Sequence, residues 1–246
     1  MSPLDDIRAL EARTFRAWPA LESRDLRGWR QRLSGGYTKR ANSINALEPD
    51  GRLTPELKQA LEAPYRALGQ PPIWRLTPLA PSGTDALLAA DGYRQIDESR
   101  VQRATIDARF AADPEVRLAP HPSEDWLAGF ATLSPVAPRH RETMARMLRS
   151  IAAPVGFARV EANGRPVAFA LGVAEGDHVG LFDVLVAPQA RRRGLARRLT
   201  QSIVAWGRDH GARFAYLQVV ATNAAALPLY AELGFKTVYS YAYRVP

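Results

Sequence analysis

The residues with the clearest capacity for chemistry are Arg191, Arg192, Arg193, Gly194, Leu195 and Ala196. They follow an apolar run, Val184-Leu185-Val186-Ala187, that Pro188 ends. They open a segment in which Leu195, Leu199, Ile203 and Trp206 share one helical face. A strand running into a helix N-terminus presents first-turn N–H groups with no intrahelical acceptor, and the helix dipole adds partial positive charge there. Gly194 lets a bulky anion reach the backbone, Ala196 keeps the next turn clear, and the three guanidinium groups add forked donors. The combination is a cradle for a diphosphate. Asp183 is the second residue to consider. A carboxylate between Phe182 and Val184 in a buried strand is costly unless paired, so it is either functional or the partner of a nearby arginine.

Other chemistries are excluded by composition. Cysteine is absent, which removes disulfides, thiolate metal sites and any acyl-cysteine intermediate. The four histidines, His121, His140, His178 and His210, lack metal-ligand spacing and read as surface or loop residues. The formal charge is +8, and only Lys39, Lys58 and Lys236 are lysines. Such a balance suits a polyanionic partner, nucleic acid or a nucleotide cofactor, and equally an arginine-biased solvated surface. No DNA- or RNA-binding motif is recognisable, so a nucleic-acid partner is not expected. No apolar run has the roughly 18 to 20 residues of a membrane span. The N-terminus, MSPLDDIRAL, is acidic and helical in pattern rather than a signal peptide, so a cytoplasmic location is expected.

The elements around the cradle follow from periodicity. Val155 to Glu161, Pro166 to Val173 and His178 to Ala187 form an antiparallel meander, turned at Asn163-Gly164 and at Glu175-Gly176-Asp177. A helix then runs to Gly211, followed by a strand from Phe214 to Val220, a helix from Ala224 to Leu233 that Asn223 can cap, and a return strand from Phe235 to Arg244. The order implies an α+β fold, a mixed sheet with helices packed on it. Further upstream, helices are expected near Asp5 to Ala17, Pro55 to Leu68, Thr84 to Ala90, Ser123 to Leu133 and Arg139 to Ser150. Strands are expected at Ile73 to Leu79 and Tyr93 to Ile106, with a Gly-interrupted β-like region from Trp29 to Leu47. Within that region, Gly35 to Ser43 reads either as the lining of a cleft or as a bulged strand and loop. The chain also echoes itself: the interval from Gly69 to Gly92 equals that from Gly211 to Gly234, with Leu88 in the place of Tyr230 and Pro81 in that of Asn223. Proline-containing stretches at residues 111–114 and 119–122 suggest a boundary between domains 1–112 and 113–246.

Arg191, Gly194 and Ala196 match the signature of the GNAT N-acetyltransferase superfamily: Arg or Gln, two residues, Gly, one residue, Gly or Ala. A second match, Asn223, Ala226, Leu229-Tyr230 and Gly234-Phe235, stands at the expected distance. The chain resembles that superfamily over about residues 116 to 246, and the first half resembles a degenerate copy, giving two tandem copies. The resemblance implies acetyl-CoA as cofactor, lying between the strand ending near Val186 and the strand from Tyr216 to Val220. Backbone amides of Val184, Leu185 and Val186 would bond its arm and acyl oxygen, the arginine turn and Leu195 its diphosphate, and Asn223 and Ala226 its arm. Tyr230 would protonate the departing thiolate, a task a phenol suits. Asp183, or alternatively Glu161, would accept the proton of a small-molecule or peptide amine by direct transfer in a ternary complex. Pro228 inside the last helix departs from the pattern and is expected to bend it. A module that senses acyl-CoA without turnover is the competing expectation.

Overall fold

The computed structural model describes residues 2–134 and 136–246. Its first elements are α1 (Pro3–Ala17), β1 (Glu22–Leu26), β2 (Trp29–Leu33), β3 (Ile44–Ala46), α2 (Pro55–Ala67), β4 (Trp74–Leu76), α3 (Thr84–Ala90) and β5 (Arg94–Thr105). They continue with β6 (Val116–Ala119), α4 (Glu124–Leu133), α5 (Arg141–Arg149), β7 (Val155–Ala162), β8 (Arg165–Glu175) and β9 (His178–Val186). The last are α6 (Leu195–Asp209), β10 (Phe214–Val220), α7 (Ala226–Glu232) and β11 (Lys236–Val245). The fold is mixed α+β with parallel and antiparallel strand pairs.

Two compact units make up the chain: Met1–Val101 with Val220–Thr222 and Val238–Pro246, and Gln102–Val219 with Asn223–Thr237. The division falls at residue 101, ahead of the expected 112/113 boundary, and most of β11 belongs to the first unit, where Ala242 pairs with Leu76 of β4. Sequence order hides that exchange, because the proline-rich stretches punctuate a loop and not the change of unit.

In the first unit β1, β2 and β3 pair antiparallel and β3 pairs parallel with β4. Trp29 and Trp74 meet edge to face at 5.2 Å, and both are buried with Trp18. Glu11 and Arg75 form a buried ion pair, and the Tyr239 hydroxyl donates to Glu11 at 2.5 Å. The segment from Gly35 to Ser43 is a loop built on Asn42. Its side-chain oxygen accepts from the Ser34 and Gly36 amides at 2.7 and 3.0 Å, and its nitrogen donates to the Tyr37 and Thr38 carbonyls at 2.7 and 2.9 Å. All four hydrogen bonds of a buried amide are thereby made, which explains a polar run in a strand-like context.

In the second unit β6, β7, β8 and β9 pair antiparallel, and β9 pairs parallel with β10. The hairpin at Asn163-Gly164 has both residues at positive φ, 53° and 71°. Helix α6 lies close on β7, β8 and β9 because glycines remove side chains at the contacts. A Cβ on Gly207 would sit 2.5 Å from Val179, and one on Gly172 would sit 2.6 Å from Ile203. Helix α4 covers the other face, with Trp126 against Phe130, Phe157 and Phe169. Trp126 also donates its ring N–H to the Ala158 carbonyl at 3.0 Å. His178 is buried against Phe214 beside Asp177, not on the surface.

The two units share a connectivity. In each, two antiparallel pairings lead to a parallel one, and a helix, α2 or α6, links the strands of the parallel pair. One interval of 142 residues carries Thr84 to Ala226 and Ala90 to Glu232, the bounds of α3 and α7, and Gly69 and Gly92 to Gly211 and Gly234. All four glycines have positive φ.

Candidate active site

The site forms where β9 and β10 part. Their parallel pairing runs from Phe214 opposite His178 to Leu217 opposite Leu181 and stops. There β9 carries a bulge. Phe182 pairs with Leu171 and Leu185 with Phe169, so Asp183 and Val184 together oppose Ala170 alone. Asp183 has φ 48°, a left-handed conformation that few side chains tolerate. The bulge re-aims the backbone of Val184, Leu185 and Val186 and leaves Asp183 half-buried on the strand that lines the gap. The sequence signal for it was an Asp inside a β-branched strand, since Asp tolerates positive φ better than most residues.

At the end of β9 the chain makes one 3₁₀ turn, Pro188–Ala190, and enters α6 through Gly194 at φ 76°. Helices α1, α2 and α4 have their first turns capped by Ser2, Thr54 and Ser123. The N-terminus of α6 has no side-chain cap, and its backbone ladder begins with the Arg198 amide donating to the Gly194 carbonyl at 3.1 Å. The N–H groups of Leu195, Ala196 and Arg197 therefore have no helical acceptor. A Cβ on Gly194 would meet nothing within 4 Å, so the helix start is unobstructed at that residue. Arg191, Arg192 and Arg193 are exposed, and Arg192 and Arg193 have no ion pair or hydrogen bond among the described residues. Arg198 is turned away, held by Asp113 at 2.6 Å and by Glu115. An uncapped fifteen-residue helix, unneutralised arginines and open space fit a diphosphate.

One apolar cluster joins the pieces. It contains Leu195 of α6, Leu217 and Val219 of β10, Tyr230 of α7 and Phe235, with Val184, Val186 and Ala226 packed against it. The Tyr230 ring meets Phe235 at 5.7 Å. Burial pushes the Tyr230 hydroxyl up to about 12. That hydroxyl makes no hydrogen bond among the described residues, and it is not among the side-chain atoms sealed from solvent without a partner. Other buried tyrosines are engaged: Tyr65 with the Arg32 backbone, Tyr93 with Glu62 and Tyr239 with Glu11. Tyr230 is thus a protonated phenol with an open donor.

Asn223 spends its side-chain oxygen on the Ala226 amide at 3.1 Å, fixing the start of α7. Since α7 starts at Ala226, Pro228 falls in its first turn, directly after an i→i−4 bond from the Leu227 amide to the Asn223 carbonyl at 3.1 Å. Pro228 has no N–H to carry that ladder on to the Ala224 carbonyl, and the regular helix is entered only at Ala226. Glu161 is not brought to the gap: it lies on β7, beyond β8, and pairs with Arg159 at 3.0 Å. Among the described residues no group of three acidic or histidine side chains could hold a metal ion. No helix there is long and apolar enough to cross a membrane.

Residues 5–244 match a family model described as "Probable histone acetyltransferase Rv0428c C-terminal". The chain is similar to the uncharacterised N-acetyltransferase YobR of Bacillus subtilis, 28% identical over 254 residues, covering 98% of this chain and 99% of that one. A shorter match, 38% identical over 73 residues, links 30% of this chain to 49% of the [ribosomal protein bS18]-alanine N-acetyltransferase of Escherichia coli. Among solved structures, a GCN5-related N-acetyltransferase from Kribbella flavida shares the fold, with TM-score 0.70 and 16% identity over 97% of this chain and 94% of its own.

Proposed function

We infer the activity from one premise: the chain belongs to the family described as "Probable histone acetyltransferase Rv0428c C-terminal", and it is an acyltransferase of the GNAT superfamily. Our reading is that it moves an acetyl group from acetyl-CoA to a primary amine by direct transfer in a ternary complex. The observation that carries it is the pairing of an uncapped, arginine-flanked helix start with a buried phenol whose donor is open.

Acetyl-CoA, when bound, supplies the activated acetyl thioester. The amides of Gly194, Leu195 and Ala196, with Arg191, Arg192 and Arg193, would hold its diphosphate. Amides of Val184, Leu185 and Val186, re-aimed by the bulge, would hold the arm and the acyl oxygen, where donors gain strength as charge develops. Asn223 and Ala226 border the arm, the carboxamide nitrogen of Asn223 being the group left for contact. Tyr230 holds at its hydroxyl the proton that a leaving sulfur needs, and burial keeps that proton in place at neutral pH. Asp183 is the carboxylate on the strand that lines the gap, and it would take the proton of the acceptor amine, directly or through water. With no cysteine in the chain, no acyl-cysteine precedes the transfer.

The first unit reads as a degenerate second copy of the same fold. The shared connectivity and the 142-residue interval support this. At the start of α2, Thr54 accepts from the Leu57 amide at 3.3 Å, Pro55 removes a donor, and Glu48 and Asp50 precede it, leaving Arg52 where α6 has three arginines in a row. Leu88 stands where the interval puts Tyr230. We place the reaction in the cytoplasm, where acetyl-CoA is supplied.

The test is release of free coenzyme from acetyl-CoA on addition of a panel of primary amines. Saturable release with at least one amine is the expected result. Tight coenzyme binding with no release from any amine would instead favour a sensor.

A further inference from the structure

We propose that the acceptor is an amine that also carries an anionic group, and that Arg139 and Arg141 recognise that group. The proposal deepens the acetyltransferase reading above and rests on it.

Topology brings these arginines to the gap. Strands β6 and β8 run antiparallel to β7 and β9, so the chain leaves β6 level with Phe182 and heading toward the level at which β9 starts, and α4 sets out from there. Helix α4 packs along β8 and β9 toward the far end of β9, with Gly129 seated on Phe169, whose sheet partner is Leu185. Residues 136–140, which lead into α5, are therefore delivered toward the end of β9 where the bulge opens the gap. It lies on the face opposite α6. Gly172 of β8 faces Ile203 and Trp206 of α6, and Phe169, three residues before it, points the other way. The diphosphate turn stands at the start of α6, so the cations on the α4 face are left for something else.

The segment is charged in one sense. From Val136 to Arg146 the single acid is Glu142, set against Arg139, Arg141 and Arg146. Arg139 and Arg141 are exposed and have no carboxylate partner among the described residues. Arg139 Nε donates to His140 Nε2 at 3.3 Å, and burial with the Arg139 charge lowers the His140 pKa, so the neutral ring accepts. That bond engages one edge of the Arg139 guanidinium and leaves its terminal nitrogens for a carboxylate or phosphate. An amine approaching Asp183 from the α4 face would bring an attached anionic group toward this pair.

The experiment compares matched acceptors by coenzyme release: amino acids against their carboxamides, and phosphate-bearing amines against the corresponding alcohols. Each is run with the wild type and with Arg139→Gln/Arg141→Gln. The wild type should favour the anionic member by about tenfold or more in kcat/KM, which corresponds to roughly 1.4 kcal/mol. The ratio should fall toward one in the double variant and shrink with added salt. The carboxylate and phosphate arms tell which anion is read. Equal use of acid and amide by the wild type, or a preference that survives in the variant, overturns the proposal. No release from any amine while coenzyme still binds defeats the acetyltransferase reading itself, and this proposal with it.

Discussion

Replacing Tyr230 with Phe isolates a single donor. The hydroxyl has no hydrogen-bond partner among the described residues, so its loss orphans no neighbour, and the ring keeps its contact with Phe235. Stability should stay within about 0.5 kcal/mol of the wild type. The chemical step should not be spared. A positioned general acid contributes about 10²- to 10⁴-fold. At roughly 1.4 kcal/mol per factor of ten, that is about 3 to 5 kcal/mol of barrier. Both kcat and kcat/KM should fall by that factor while the dissociation constant of acetyl-CoA holds. A thiol-reactive dye suits the assay, because the protein has no cysteine and only released coenzyme is counted. The pH profile adds a second reading. An ordinary phenol ionises near pH 10, whereas burial holds the Tyr230 proton until about 12, so this group should cause no alkaline loss of rate around pH 10. The folded value lies above the unfolded one. The stability Tyr230 gains from being neutral is therefore complete below about pH 10 and is lost as pH rises toward about 12. A Tyr230→Phe rate within about twofold of the wild type at saturating coenzyme would refute the assignment.

Asp183 separates two roles: Asp183→Asn and Asp183→Gly both accept positive φ, so melting should move little, yet kcat should fall about 10²-fold or more at neutral pH if the carboxylate is the base. Asp183→Val should lose about 1 to 3 kcal/mol of stability besides, read by denaturant midpoint, because a β-branched residue is strained there. Gly207→Ala places a methyl 2.5 Å from Val179 and should destabilise by about 1 to 3 kcal/mol through forced repacking, despite better helix propensity. Glu11→Gln leaves buried Arg75 without its counter-charge, and a loss of about 3 to 5 kcal/mol in urea unfolding is expected.

Much of the second unit was legible because its strands bury one or both faces and its turns carry their own chemistry. Asn163-Gly164, Gly211 and Gly234 fixed the element ends, and β10 runs over the residues expected of it. The arginine-glycine turn was readable as the start of α6 because a residue without a Cβ takes the positive φ that enters the helix there, and no capping side chain stands before it. What escaped was polar or non-local. Strand β1, Glu22–Leu26, is a charged edge strand with four exposed residues and no alternation, turned by Arg27 and Gly28 at positive φ. Strand β6 spans four residues between loops rich in proline. The bulge at Asp183 is a property of the pairing with β8, and the pairing of β11 with β4 joins residues far apart in sequence. Arg139 and Arg141 gained meaning only once the direction of α4 was known.

Calorimetric titration of acetyl-CoA into the wild type and into Gly194→Glu tests the central claim most directly. The new side chain has room at Gly194, and its carboxylate at the uncapped start of α6 would repel an anion there. The strain of a non-glycine residue at φ 76° costs only about 1 kcal/mol, which leaves the fold intact. The account predicts saturable binding to the wild type and affinity weakened by about 100-fold or more, roughly 2.7 kcal/mol, in the variant. Equal dissociation constants for the two proteins would place the diphosphate elsewhere and contradict it.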